Sequence, residues 1–255
     1  MSMRLDKYLS DYTELTRSQA KKAIRAGRVT INGAVSGKGE ERVEDSDVVV
    51  FDGEQIRAQK YQYLMLNKPA GLISATKDDA DKTVVEYLKE KAPAGQGASD
   101  DGEIFLAKDL FPVGRLDKDT EGLLILTNDG DMAHRLLSPK RHVDKTYFVR
   151  LDTRIDETDR IRMRKGLDIG EKRETRPAEL EILSETEAYL TITEGKFHQV
   201  KRMFAKLGKK VVYLKRVRMG KLELDESLMV GDWRFLTEEE IRALRQSTML
   251  NQGSC

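Results

Sequence analysis

Cysteine is almost missing from this 255-residue chain, and the only one, Cys255, is the last residue, so neither an intrachain disulfide nor a cysteine-based metal site can form. Histidine is nearly as scarce. His134, His142 and His198 show no ligand-type spacing, and no metal site is expected. No stretch approaches the roughly 18 apolar residues of a membrane span, and Met1-Ser2-Met3-Arg4-Leu5-Asp6-Lys7 holds no signal-peptide core; a soluble cytoplasmic protein with no membrane contact is expected. An excess of one charge is missing too. Against 45 Lys and Arg stand 44 Asp and Glu, so total charge says little about partners and its distribution must carry that argument. Nor is there the strand, glycine-rich loop and helix of a nucleotide-binding fingerprint, which argues against an RNA methyltransferase.

What is present reads as two parts. Leu5, Tyr8, Leu9 and Tyr12 recur at near-helical spacing, and Thr16 or Ser18 can cap a second helix that carries Ala20, Ala23 and Ile24 on one side and ends at Gly27. A strand through Val29-Thr30-Ile31 and an Asn32-Gly33 turn follow, with a further strand at Val48-Val49-Val50-Phe51. Residues 1–58 therefore form a small helix–helix–sheet module. From residue 1 to 38, eight Lys and Arg (Arg4, Lys7, Arg17, Lys21, Lys22, Arg25, Arg28, Lys38) face three acids (Asp6, Asp11, Glu14), a balance of +5 that suits a phosphate backbone.

After a linker at Gln59-Lys60, residues 61–245 read as a larger domain. Tyr61 to Asn67 is a strand stopped by a Pro69-Ala70-Gly71 turn, Thr83 to Lys91 a helix, and residues 92–102 a small, polar, mobile loop. The apolar run Leu123-Leu124-Ile125-Leu126 is a buried strand, so the polar Gly114-Arg115-Leu116-Asp117-Lys118-Asp119-Thr120-Glu121-Gly122 before it enters the core as a loop and sets an aspartate at the core's edge. A carboxylate taken out of water needs a cationic partner. Asp117, Asp119, Asp129 and Asp131 are all candidates on these grounds. Asp129 or Asp131 can cap a short helix that Ser138-Pro139 ends, and Tyr147 to Leu151 is a strand. Residues 152–187 carry little functional signal; 168–176 is a hairpin or an excursion, and strands follow at 180–183 and 189–192. Val200, Met203, Phe204 and Leu207 make an amphipathic helix ended by Gly208, and from Gly195 to Arg218 there are nine Lys and Arg and no acid, which favours a nucleic-acid partner. Strands at 211–218 and 233–236 and a capping box at Thr237-Glu238-Glu239-Glu240 opening a short helix complete the domain, with a disordered tail over 246–255.

Five segments carry a family resemblance. Gly114-Arg115-Leu116-Asp117, then Thr120-Glu121-Gly122-Leu123-Leu124 and Thr127-Asn128-Asp129-Gly130, is similar to the catalytic segment of the pseudouridine synthases, most of all the RsuA-like ribosomal RNA family. Asn67-Lys68-Pro69-Ala70-Gly71, Lys145-Thr146-Tyr147 and Gly195-Lys196-Phe197-His198-Gln199-Val200-Lys201-Arg202-Met203-Phe204 resemble its other motifs. Residues 3–33 resemble the RNA-binding module named after ribosomal protein S-four. The resemblance implies an α+β chain: the small RNA-binding module, then an α/β catalytic domain on a mixed, mostly antiparallel sheet. It further implies that Asp117 is catalytic, that Tyr147 packs on the target base, and that Lys201 is the cation that pairs with Asp117 and favours its ionised form. Arg115, Lys145, Lys196, His198 and Arg202 are expected to contact RNA, with Arg4, Lys7, Arg17, Lys21, Arg25 and Arg28 in the first module. Lys196 stands where an arginine is commoner, which loses the bidentate fork.

The expected activity is isomerisation of a uridine to pseudouridine in 16S small-subunit ribosomal RNA, by a monomer without a cofactor. A synthase acting on 23S RNA and a non-catalytic RNA-binding assembly factor are the alternatives.

Overall fold

A computed structural model of the chain describes residues 2–249 except 14, 45, 57–60, 92–97, 100–101, 104–105 and 108. The linker expected at Gln59-Lys60 and most of the 92–102 loop lie outside the described residues. The chain divides into two compact units, residues 1–62 with 87–110, and residues 63–86 with 111–255.

The first unit runs β1 (Met3–Arg4), α1 (Leu5–Tyr12), α2 (Arg17–Arg25), β2 (Val29–Ile31), β3 (Ala34–Val35), β4 (Arg42–Val43), β5 (Val49–Phe51) and β6 (Glu54–Ile56). Thr16 caps α2 in a reciprocal box with Gln19, which satisfies two otherwise orphaned amides. Leu5, Tyr8 and Leu9 of α1 and Ala20, Ala23 and Ile24 of α2 meet Val29, Val43, Val49 and Ile56 in one buried cluster. Asn32 and Gly33 both have positive φ, the backbone of a two-residue hairpin turn, and the same pair of conformations at Asp52 and Gly53 joins β5 to β6. The second hairpin was equally readable from its Asp-Gly.

In the second unit β7 (Tyr63–Lys68) is buried at every position, as its apolar run requires. There follow α3 (Val84–Lys91), which crosses into the first unit, where β8 (Ala98–Ser99) and β9 (Gly102–Glu103) pair, and then β10 (Phe111–Pro112), β11 (Glu121–Thr127), α4 (Gly130–Leu137) and β12 (Lys145–Leu151). Next come α5 (Glu157–Lys165), β13 (Glu179–Ile182), β14 (Glu187–Ile192), α6 (Gln199–Lys206), β15 (Val211–Met219), β16 (Leu222–Glu223), β17 (Trp233–Phe235) and α7 (Glu238–Ser247). The sheet order is β13-β14-β12-β15-β11-β7-β17, with β10 on β11 and β16 on β15. Only β11 and β15 pair in parallel within it, so the sheet is mixed and mostly antiparallel as expected.

Two readings of the chain change, and at 168–176 the second of two alternatives holds. Residues 157–165 form a helix that periodicity did not reveal, because its Ile161 is exposed and only Asp159 and Met163 are buried; a capping box between Asp156 and Asp159 and a Glu157–Arg160 ion pair support it instead. Residues 168–176 contain no strand. They form an excursion closed at its base by Thr175 N donating to Leu167 O (2.9 Å) and Leu167 N to Thr175 Oγ1 (3.0 Å). Residues 246–248 of the expected tail are ordered, since α7 reaches Ser247 and Thr248 is buried with its carbonyl accepting from Arg141 (2.8 Å), and residues 250–255 lie outside the described residues.

Candidate active site

Residues 113–120 are the turn of the β10–β11 hairpin, which opens with Val113 N donating to Ile125 O at 2.7 Å. Its polar backbone would be costly at the edge of the core without partners. Lys68, wholly buried at the end of β7, supplies them: its Nζ donates to the carbonyls of Pro69 (3.0 Å), Thr120 (2.9 Å), Asp117 (3.3 Å) and Lys118 (3.3 Å). Ser74 Oγ both donates to and accepts from the Leu116 backbone at 3.0 Å, and Gly71 N donates to Lys118 O at 2.7 Å. Burial pushes the Lys68 ammonium down to about 8, against the pull of Asp119, Glu121 and Asp117. Lys68 belongs to a motif noticed in the sequence, yet its role was missed. The signal was there: a lysine closing an otherwise apolar strand needs a ring of acceptors.

Behind the loop, Gly122 has φ +99°, and a Cβ there would run into the Arg216 carbonyl oxygen, so only glycine lets β11 and β15 close up. Register then places Gly122, Arg216 and Tyr147 in one row across three strands. Arg216 is buried, its Nε donating to Leu123 O at 2.8 Å, while its Nη2 has no partner among the described residues. It is a second site-proximal residue that the sequence did not single out. Tyr147 is mostly buried on that row.

Helix α6 brings the cations. His198 and Lys201, three residues apart, face the same way, and Lys201 Nζ lies 3.1 Å from Asp117 Oδ2 and 2.5 Å from Asp119 Oδ1. His198 Nε2 is 3.7 Å from Asp117 Oδ1. Partial burial works against the Lys201 charge, but Asp119 and Asp117 outweigh it and its pKa is raised; the Lys201 hydrogen bond in turn lowers that of Asp119. The side chain of Asp117 is 27% exposed, so it sits at the core's edge yet open to an incoming group. Its rivals are placed differently. Asp129 caps α4 and accepts from Tyr63 Oη (2.6 Å), whose hydroxyl burial and Asp129 push up to about 12. Asp131 is exposed on the first turn of α4, and Asp119 is 73% exposed.

Several expected RNA contacts are occupied otherwise. Arg202 binds Glu171 (2.6 Å), the Phe197 carbonyl (3.1 Å) and the Ile169 carbonyl, and Lys196 Nζ donates to the carbonyls of Arg173 (2.6 Å) and Glu174 (2.9 Å). Both pin the 168–176 excursion against the third motif while remaining partly exposed. Lys145 is buried with Nζ on the Val143 carbonyl (3.1 Å), and burial, then Arg216, push it down to about 8. That removes it from the surface where a phosphate could reach it. Arg115 is exposed, with no hydrogen-bond or ion-pair partner among the described residues.

In the first unit the cations are partly spent internally. Buried Asp6 takes Arg4 (3.0 Å), Arg17 (3.3 Å) and Lys21 (3.8 Å); Lys7 pairs with Asp11 (2.6 Å) and Arg28 with Asp52. Arg25, and beside it Lys22, is exposed and without an ion-pair partner among the described residues.

The chain is similar over nearly its whole length to known proteins. The model for RNA pseudouridylate synthases matches residues 62–206, and that for the S4 domain matches residues 3–49. The chain is 43% identical to the ribosomal small subunit pseudouridine synthase A of Haemophilus influenzae, over 95% of this chain and 99% of that one. An uncharacterized RNA pseudouridine synthase of Bacillus subtilis is 44% identical over 96% of this chain and 99% of its own length. A solved pseudouridylate synthase structure superposes with a TM-score of 0.64 at 42% identity, covering 95% of this chain and 99% of that one. The chain belongs to the RNA pseudouridylate synthase family.

Proposed function

We propose that the chain converts a specific uridine of 16S small-subunit ribosomal RNA to pseudouridine, with Asp117 as the reacting carboxylate, Lys201 as its cation and Tyr147 against the base. The observation that carries this is the Lys201–Asp117 pair at 3.1 Å on a loop that Lys68 holds by four carbonyls. In the reaction the glycosidic C–N bond breaks, the uracil turns and rejoins the ribose through C5, the C5 proton goes to solvent and N1 takes one up. Attack on the sugar, attack on the base, and proton abstraction from the sugar all require an ionised carboxylate, and a charge partner fixed by the helix supplies the field for it. No redox equivalent or energy source enters the balance. Extruding the uridine costs a few kcal/mol, which cationic contacts to the phosphates offset.

The small-subunit target rests on relatives named for it, among them those of Haemophilus influenzae and Pasteurella multocida, the latter 42% identical over 94% of this chain. A monomer is proposed because Asp117, Lys201 and Tyr147 all come from one chain, so the site needs no second copy, and the ribosomal small subunit named for the relatives supports a cytoplasmic location. Tritium release from C5-labelled uridine in 16S and 23S transcripts tests the reading. Release from 16S alone is expected. Release from 23S alone would transfer the activity to the large subunit, and release from neither would leave an RNA-binding assembly factor.

A further inference from the structure

Phe197 is among the most exposed apolar side chains of the described residues, at 67%, and it lies beside the reacting carboxylate. Its ring stacks on His198 at 3.8 Å between centroids and 20° between planes, and the same imidazole reaches to 3.7 Å from Asp117. The turn carrying the pair is held hard. His198 sits at φ 47°, a left-handed conformation that a non-glycine residue adopts only where its surroundings hold it. Arg202 fixes the Phe197 carbonyl (3.1 Å), Gln199 Oε1 accepts from Lys196 N (2.9 Å), and buried Gln199 donates to Glu194 (3.0 Å). The braced turn leaves the Phe197 ring largely exposed, with one face stacked on His198. An exposed, rigid aromatic stacked on a second ring and next to cations is the arrangement by which proteins hold unpaired nucleobases.

We propose that the stacked Phe197–His198 pair is a nucleobase platform: the outer face of Phe197 takes the base flanking the target uridine, replacing the stacking that this neighbour loses when the uridine leaves the helix. The assignment rests on the reading of the site as that of an RNA pseudouridine synthase and adds a residue to it. Phe197 is a binding residue and not a catalytic one, because it touches Asp117 only through His198. Stacking of one base on an aromatic side chain corresponds to about a five- to hundred-fold change in affinity.

The chain has one tryptophan, Trp233, so Trp233→Phe with Phe197→Trp makes the platform the sole tryptophan. In that variant, 16S transcript should quench the emission on binding while tritium release from C5-labelled uridine continues. Phe197→Leu should raise KM or Kd between about five-fold and a hundred-fold and leave the single-turnover rate at saturating RNA within about three-fold, and Phe197→Tyr should restore binding. Unquenched emission under conditions where tritium is released would overturn the platform while leaving the synthase reading intact. So would a Phe197→Leu protein with unchanged affinity, or one that loses only the saturating rate. Loss of tritium release in the wild-type protein on every ribosomal transcript would instead sink the synthase reading, whatever the emission does.

Discussion

Lys201 lies nearer to Asp119 than to Asp117, 2.5 against 3.1 Å, and so bridges two carboxylates of unequal exposure. Asp119 is the more exposed of the two, so its pairing with Lys201 is the more screened by solvent. Lys201→Met should lower the single-turnover rate by about 10²-fold, because the carboxylate loses both charge partner and position, while Lys201→Arg keeps much of it. Arg202→Met should leave the saturating rate within a few-fold and instead loosen the 168–176 excursion, read as faster proteolysis there, since Arg202 holds Glu171 and the Phe197 and Ile169 carbonyls. The opposite ranking of Lys201→Met and Arg202→Met in rate would mean that the third motif is read one residue out of register. At Gly122 the backbone leaves no choice. Gly122→Ala meets the Arg216 carbonyl at a positive φ and should cost at least about 2 kcal/mol in denaturant unfolding.

At the scale of elements, the β10–β11 hairpin and Lys68 are a single device. Replacing Lys68 by Met removes a buried charge but leaves four carbonyls without their donor, so stability at neutral pH should fall and the rate should drop at least about ten-fold as the loop loosens. The pH dependence has a definite sign. With the folded value near 8 and the unfolded one near 10.5, the unfolded chain binds more protons between those limits, so the cost of burying this charge fades as pH rises through that window. Chemical unfolding at pH 8 and pH 10 should show wild type gaining stability relative to Lys68→Met; no relative change would mean that Lys68 is not buried as a charge. Most elements were legible from local pattern: α1, α2 and α6 from periodicity, α2, α4 and α7 from their caps, β11 from its apolar run. What was not legible depends on contacts distant in sequence. Asp117 and Lys201 come together as expected, but Lys68 and Arg216 owe their roles to burial that only sheet register creates. Lys196, Arg202 and Lys145 are expected as phosphate contacts because a cation's charge is visible in a sequence, whereas the carbonyls of residues 143, 169, 173, 174 and 197 that hold them in the fold are not.

For the whole molecule, the cations of the first unit differ in availability, some holding acidic partners and others having none among the described residues. Lys22 and Arg25 have no ion-pair partner among the described residues, so Lys22→Ala with Arg25→Ala should flatten the slope of log K against log salt by up to roughly 0.7–0.9 for each phosphate no longer neutralised. Lys7→Ala should change it less, because the Lys7 charge already meets Asp11. Slopes equal to that of wild type in both variants would place the first unit off the RNA. Asp6 ties the same surface to stability: the Arg4 hydrogen bonds, then Arg17, hold its carboxyl at about 2 against the effect of burial. A depressed carboxylate stabilises above its unfolded value, so that contribution should be complete above about pH 4 and vanish as pH falls towards 2, and Asp6→Asn should abolish this acid limb. The chemistry itself is tested most directly by tritium release from C5-labelled uridine in 16S transcript by the full chain carrying Asp117→Asn or Asp119→Asn. Asp117→Asn should release no tritium while its Tm and RNA affinity stay near wild type, and Asp119→Asn should remain active. An active Asp117→Asn protein beside an inactive Asp119→Asn one would contradict the assignment of Asp117 as the reacting carboxylate.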